Sequence, residues 1–166
     1  MATDKHDLEA RFWKAIESER TLMLGATGIY PRPMTAQAED ARGPLWFFTS
    51  SDTDFGRALE RGRSLPALAI MISKDHELFA TVGGSLVRDR DSANIERLWT
   101  PFVGAWFPGG MTDPTVRLLR MDTSGAEIWR NENSLFAGIK TLLGIDPKKS
   151  YRDSAAKLRL KGEKRR

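Results

Sequence analysis

The chain has 166 residues, 40% of them hydrophobic, which is enough for one domain with a continuous apolar core. It has no cysteine and only two histidines, which excludes disulfides, thiolate catalysis and cysteine-based zinc sites and argues against a His-rich metal site. No apolar run approaches the ~20 residues that a membrane-spanning helix needs, and no secretory signal is recognisable at the start. We therefore expect a cytoplasmic protein with no membrane partner.

The net charge of +4 is unevenly distributed along the chain. Residues 147–166 contain nine Lys or Arg and two Asp or Glu, whereas residues 1–146 contain 17 basic and 20 acidic residues. This pattern predicts a mildly acidic folded domain over residues 1–146 and a basic, mobile C-terminal tail over residues 147–166. Association of the tail with nucleic acid is disfavoured, because no aromatic residue interleaves its final basic residues.

The hydrophobic pattern predicts an N-terminal helix followed mainly by strands. Leu8, Phe12 and Ile16 are spaced by four, which predicts an amphipathic helix from Asp4 to Arg20. Strands are predicted at residues 21–26, 32–38, 45–49, 67–73, 78–87, 116–121 and 126–130, and further helices at residues 53–61, 91–99 and 134–143. Because tight turns join many of these strands, the expected fold class is mainly β with peripheral helices (α+β), closed as a small antiparallel barrel.

The segment from Pro31 to Gln37 and the strand ending Thr49-Ser50 carry the clearest chemical signal. They place an arginine and hydroxyl side chains at strand ends, directly before the predicted helix that begins near Thr53. Such an arrangement suits a phosphate, because the guanidinium forks onto its oxygens and the helix dipole favours an anion. The alternative is that Arg32 is an ordinary surface arginine.

Six segments, in this order and spacing, resemble a known family. They are Phe12-Trp13-Lys14, Arg32-Pro33-Met34-Thr35, Trp46-Phe47-Phe48-Thr49-Ser50, His76-Glu77-Leu78-Phe79-Ala80, residues 98–106 and Ala126-Glu127-Ile128-Trp129. Between about Leu8 and Tyr151 the chain resembles the bacterial general stress protein branch of the pyridoxamine 5′-phosphate oxidase-like, FMN-binding split-barrel families. The resemblance implies a six-stranded antiparallel split β-barrel that forms a homodimer, with one FMN in each of two clefts at the subunit interface.

The resemblance also implies roles for residues of the first segment. Arg32 would pair with the FMN phosphate. Pro33, Met34 and Thr35 would form the stretch whose backbone runs along the isoalloxazine ring. Gln37 stands where related oxidases carry a lysine near the ring, and its amide can still donate a hydrogen bond.

A second group of implied contacts follows the Trp46 strand. Phe48 and Thr49 match the aromatic-Thr pair near the ribityl chain and ring edge. Ser50 and Ser51 would offer hydroxyl or backbone N–H groups to the phosphate. Trp129 matches the aromatic residue that the partner subunit contributes beside the flavin.

The chain departs from the oxidase pattern in two places. Where related oxidases carry a basic pair for the phosphate, this sequence has Asp54 and Phe55, and Arg57 would be the substitute. The Arg and His that bind the oxidase's substrate after the late tryptophan are missing after Trp129. Oxidation of pyridoxamine phosphate is therefore disfavoured.

Aromatic residues in one loop also favour a dimer. Trp99, Phe102, Trp106 and Phe107 crowd a single segment, which is more apolar surface than a small monomer readily exposes. Trp46, Trp99 and Trp106 are expected to be packing residues, whether within one chain or between subunits.

No nucleophile–base pair, carboxylate dyad or metal-ligand spacing stands out, so no catalytic residue and no metal site are predicted. A flavoprotein can lack them, because the isoalloxazine ring carries the electrons. The leading interpretation is an FMN-binding, general stress protein-like flavoprotein, an oxidoreductase of unassigned substrate with NAD(P)H as reductant. The alternatives are a non-catalytic flavin-binding or sensing protein and, more weakly, nucleic-acid association through the tail.

Overall fold

The structure is a computed structural model that describes residues 4–131 and 155–160. The helices are α1 (Lys5–Glu19), α2 (Asp54–Leu59), α3 (Ser92–Leu98) and α4 (Pro101–Gly104), with a 3-10 turn at Gly110–Thr112. The strands are β1 (Thr21–Ala26), β2 (Ile29–Thr35), β3 (Gln37–Glu39), β4 (Arg42–Ser50), β5 (Leu65–Ile72), β6 (Leu78–Asp89), β7 (Val116–Arg130) and β8 (Ala155–Leu158). The helix predicted at residues 134–143 lies outside the described residues.

The eight strands of the described chain form one antiparallel sheet, whose two terminal strands are consecutive in sequence. Their order is β2-β1-β5-β6-β7-β4-β3, with β8 added beside β7. The two ends of that order, β2 and β3, are separated in sequence by Ala36 alone, which is fully buried. The predicted fold class, an antiparallel split barrel with peripheral helices, is confirmed. Counted as one bent strand, β2 and β3 give the ring six positions, and β8 is the addition.

β7 differs from the prediction of two short strands at residues 116–121 and 126–130. β7 is continuous from Val116 to Arg130 and pairs with β6 along most of its length. The interval between the two predicted strands is instead a shift in register opposite Gly83 and Gly84. A Cβ on Gly84 would collide with the Asp122 backbone, so glycine allows the two strands to stay paired through the irregularity.

The main core lies between α1 and the inner face of the sheet. Leu8, Phe12, Trp13 and Ile16 of α1 are buried there, as the predicted spacing requires. Phe47 is fully buried in this core, and its neighbour Phe48 points to the opposite face of β4, as alternation along a strand requires. Two smaller clusters cover the outer face, and both include the half-buried Phe48.

The tryptophans divide between core and surface. Trp46 is buried and Trp99 packs against Phe107, with ring centroids 6.0 Å apart, so both are packing residues as expected. Trp106, however, is 72% exposed, and Phe102 beside it is also exposed. The expectation that Trp106 packs is therefore not met inside the single chain.

The predicted tail contains a strand of the sheet. Ala155–Leu158 pairs with Ala126–Trp129 of β7, and Leu160 is only 4% exposed. For residues 155–160 the prediction of a mobile tail is therefore wrong. Apolar residues alternate with Lys157 and Arg159 here, so one face packs on the core while the charges point to solvent. The domain boundary at residue 146 stays a prediction.

Two further observations concern the described residues only. None of their helices is both long and apolar enough to cross a bilayer. They also contain no group of three or more His, Asp or Glu side chains arranged to hold a metal ion.

Candidate functional site

The short helix α2 sits directly on the end of β4. The Thr53 hydroxyl caps it, accepting a hydrogen bond from the Gly56 backbone N–H at 3.0 Å and donating to the Ser50 carbonyl at 2.8 Å. A Cβ on Gly56 would lie 2.8 Å from the Ser51 Cα and closer still to the Ser50 carbonyl oxygen. Only glycine lets the helix approach the strand this closely, so the residues at the start of α2 are held against those that end β4.

Two arginines share one carboxylate at this junction. The Arg32 Nη2 lies 2.5 Å from the Asp54 Oδ2, and the Arg57 Nη2 lies 2.8 Å from the Asp54 Oδ1. We call Arg32, Asp54 and Arg57 the arginine cluster. Arg57 also donates to the Asp52 carbonyl, and the Arg32 guanidinium lies over the Phe55 ring, 5.9 Å from its centroid. The cluster joins β2 to α2 across 22 residues of sequence.

Electrostatics keep the shared carboxylate ionised. Hydrogen bonds from Arg57 and then from Arg32 hold the pKa of Asp54 below its usual value. The three side chains are between 41% and 62% exposed, so the cluster faces solvent. Its formal charge is that of two cations and one anion, a net +1.

The donors left over fit a phosphate. An arginine carries five N–H groups, and the cluster occupies only one on Arg32 and two on Arg57. The side-chain hydroxyls of Ser50 and Ser51 have no hydrogen-bond partner among the described residues. The Ser51 backbone N–H, in contrast, is engaged by the Thr115 carbonyl at 2.8 Å. Guanidinium forks beside free hydroxyls are the donor types that phosphate oxygens accept.

Thr49 and Phe48 lie on opposite faces of β4. The Thr53 hydroxyl hydrogen is used on the Ser50 carbonyl, so in the 2.9 Å contact between Thr49 and Thr53 the Thr49 hydroxyl is the donor. Thr49 is buried, and its hydroxyl hydrogen is donated to Thr53. Phe48 faces the outer clusters and meets Trp99 edge-on at 5.6 Å. The structure therefore does not place the aromatic-Thr pair on one surface of β4.

The segment after Arg32 follows the bent strand away from the cluster. Met34 packs against the main core, while Pro33 is exposed on the alternate face and Thr35 pairs with Thr21. Gln37 lies beyond the bend, opposite Trp46, and its half-buried amide has no hydrogen-bond partner within the described chain. The sequence predicts one strand at residues 32–38, and the structure divides it at Ala36 into β2 and β3.

Trp129 is separated from the other candidates in a single chain. It lies eleven residues further along β7 than Leu118, the register partner of Phe48, which corresponds to about 36 Å of strand. Its neighbours are Phe79 on β6 and Ala155 on β8. Within one chain, Trp129 therefore lies far along the sheet from Phe48.

Sequence reasoning missed a second set of charges that fixes the other end of α2. Glu60 binds Arg88 at 2.6 Å and Arg117 at 2.8 Å, and both arginine side chains are largely buried. The Arg117 hydrogen bond is the main reason that the pKa of Glu60 lies below its usual value. No sequence signal links these residues, because Glu60 follows α2 while Arg88 and Arg117 belong to β6 and β7. The Asp54–Arg57 pair, in contrast, has the three-residue spacing of a helical ion pair.

Comparisons with known proteins place the chain in a family. The family model described as pyridoxamine 5′-phosphate oxidase like matches residues 7–151. The chain belongs to this family. A comparison with curated protein sequences found no match.

Solved structures of general stress proteins are similar to this family member. One from Xanthomonas campestris pv. campestris is 46% identical with a TM-score of 0.73, covering 80% of this chain and 92% of that one. A general stress FMN/FAD binding protein from Xanthomonas citri is 48% identical with a TM-score of 0.72, covering 78% and 93%. A general stress protein 26 from Jannaschia sp. CCS1 is 29% identical with a TM-score of 0.77, covering 93% and 99%. The resemblance to the general stress protein branch is thereby confirmed.

Proposed function

We propose that this member of the pyridoxamine 5′-phosphate oxidase-like family binds FMN, with the flavin phosphate on the arginine cluster. The arginine cluster itself carries the proposal, because its two guanidinium groups have spare N–H donors. Arg57 donates to the carbonyl of Asp52, the residue after Ser51, and the hydroxyls of Ser50 and Ser51 have no hydrogen-bond partner among the described residues. The Xanthomonas citri protein described as FMN/FAD binding is 48% identical, which supports a flavin as the ligand.

Each proposed contact residue has a task that its chemistry suits. Arg32 and Arg57 bind phosphate oxygens through N–H groups that Asp54 leaves free, and the serine hydroxyls complete the shell. The strand residues Pro33, Met34, Thr35 and Gln37 are proposed to follow the ring system, and Phe48 on the outer face of β4 the ribityl side. Bound flavin would supply electron or hydride transfer.

We propose that the protein is a homodimer. Met23, Leu68 and Ile72 are large apolar side chains that are 38–54% exposed on β1 and β5. In the sheet register Ile72 lies opposite Phe79, and Phe79 lies opposite Trp129, so the apolar stripe extends from β5 to β7. A second copy would bury this stripe and supply the partner's Trp129 to the flavin. Sedimentation equilibrium should give twice the chain mass, and a species of 18.6 kDa at micromolar concentration contradicts the proposal.

We further propose that the bound flavin accepts electrons from NAD(P)H. Steady-state oxidation of NADH or NADPH by the flavin-loaded protein, compared with free FMN at the same concentration, tests this. A rate no higher than that of free FMN leaves the alternative, a protein that binds or senses flavin without turning it over.

Substitution of Arg32 tests the ligand site. Arg32→Ala should weaken FMN binding by about 1.5–3 kcal/mol, the range for hydrogen bonds to charged groups. Arg32→Lys should recover part of this, because an ammonium group cannot reproduce the bidentate fork. The measurement is fluorescence titration of FMN, preceded by an absorbance spectrum near ~450 nm, where flavins absorb.

Arg11→Ala is the matched control. Arg11 also forms an exposed arginine–carboxylate pair, with Asp7 at 2.9 Å, but on α1 rather than in the arginine cluster. Its substitution should leave FMN affinity unchanged. Equal FMN affinity in wild type, Arg32→Ala and Arg32→Lys would refute the assignment.

A further inference from the structure

We propose that Asp54 competes with the flavin phosphate for Arg32 and Arg57, so that FMN is an exchangeable ligand of this protein rather than a permanently held cofactor. The inference rests on the proposed binding of the FMN phosphate at the arginine cluster. It concerns how tightly the site holds that phosphate and how readily the flavin leaves.

The geometry of the carboxylate resembles that of a bound anion. Each Asp54 oxygen accepts from a different arginine, Oδ2 from Arg32 and Oδ1 from Arg57. Two oxygens of a phosphate would bridge the same two guanidinium groups in the same way. Asp54 therefore already occupies the position between the arginines where an incoming phosphate gains most.

The charges make this competition costly for a phosphate. The Asp54 carboxylate is ionised at neutral pH, because both arginines hold its pKa below the usual range. A phosphate monoester carries about −1.5 to −2 at pH 7. FMN must either displace Asp54 from its two hydrogen bonds or bind beside a like charge, and either route lowers its affinity.

Exposure of the cluster keeps both routes open. The Asp54 side chain is 48% exposed and Arg57 is 62% exposed, so a phosphate can approach from solvent and leave again. Because Arg57 also donates a hydrogen bond to the Asp52 carbonyl, its guanidinium stays near the site when its hydrogen bond to Asp54 breaks. The arginines thus alternate between an internal and an external anion.

The test compares FMN with riboflavin, which has the same ring and ribityl chain but no phosphate. Asp54→Asn removes the repulsion between the carboxylate and the phosphate. For charges separated by about 6 Å in water, this should tighten FMN binding by about five- to tenfold. Release of FMN, measured by stopped-flow dilution into excess riboflavin, should slow by a similar factor. Riboflavin affinity should stay the same.

Asp52→Asn is the matched control. It removes the same formal charge two residues away, but in the described chain its side chain contacts neither arginine. FMN affinity should therefore change less in this variant than in Asp54→Asn. Asp54→Ser, checked with Asp54→Asn by thermal denaturation, provides a second replacement that cannot bridge the arginines.

Three results would overturn the inference. FMN affinity that is unchanged or weaker in both Asp54 variants would mean that the carboxylate positions the arginines instead of competing. Equal tightening in Asp52→Asn and Asp54→Asn would mean a general charge effect. FMN binding that depends on Arg32 but not on Asp54 removes this inference alone, whereas failure of every variant to bind either flavin removes the proposed function.

Discussion

Replacing Gly56 by alanine should separate the helix that carries Asp54 and Arg57 from the strand that carries the serines. The added Cβ would lie 2.8 Å from the Ser51 Cα and 3.0 Å from the Ser50 carbonyl carbon, where ordinary contacts begin at 3.4 Å. The obstacle is backbone, and the Ser50 carbonyl is held by both the N–H and the hydroxyl of Thr53. The start of α2 must therefore move.

The expected cost follows from two opposing terms. Overpacking against fixed backbone costs about 2–3 kcal/mol here, near the top of the usual range for an added methyl group. Alanine recovers about 1 kcal/mol of helix propensity relative to glycine. The net loss of about 1–2 kcal/mol should lower the melting temperature by about 2–8 °C for a chain of this size.

Urea denaturation gives the loss of stability, and FMN titration reports the displaced arginine cluster. Gly83→Ala is the matched control, because its Cβ would meet only the Ser124 hydroxyl, at 3.8 Å. That variant should be as stable as wild type. If Gly56→Ala were also as stable as wild type and bound FMN equally well, the close approach of α2 to β4 would not set the site.

Two further predictions concern the remaining charges and the last strand. Glu60→Gln should destabilise the protein fully above about pH 4.5, the ordinary pKa of a glutamate carboxyl, and less as the pH falls through the lowered pKa of Glu60. Thermal denaturation of wild type and variant at about pH 7 and pH 3 measures this difference. A difference in stability that does not depend on pH would contradict the prediction. Leu160→Ala should destabilise the protein by about 2–3 kcal/mol, because Leu160 is buried in the main core. Lys157→Ala on the exposed face of β8 is its control in urea denaturation, and equal stability of the two variants would place β8 outside the cooperative fold.

Local patterns in the sequence predicted the elements that depend on local signals. The four-residue spacing from Leu8 to Ile16 defined α1, and the helix predicted at residues 91–99 is α3, whose N-cap Asp91 accepts from the Ala93 N–H. Apolar and basic residues alternate in β8, but the high net charge of residues 147–166 led to the prediction of a mobile tail. Net charge reflects only the exposed face of a strand and does not show that the opposite face is apolar.

The arginine cluster could not be predicted in full. Arg32 was a candidate from its residue type and Arg57 from the family resemblance, but the bridge from Arg32 to Asp54 spans 22 residues. It depends on how β2 bends into β3. From the sequence alone, Asp54 was notable only because it stands where related oxidases carry a basic residue. In the structure its carboxylate binds both arginines.

The closure of the sheet through Ala36 has a consequence for folding kinetics. The barrel consists of two meanders, β1 to β4 and β5 to β7, which pair with each other along two seams: β1 with β5, as at Met23 and Ile70, and β4 with β7, as at Phe48 and Leu118. The pairs inside the first meander are close in sequence, as Leu22 and Met34 are, whereas the seams join residues 47 and 70 positions apart. Closing a seam costs about 1.2–1.6 kcal/mol more chain entropy than closing that hairpin. Folding should thus be paced by the joining of two preformed meanders.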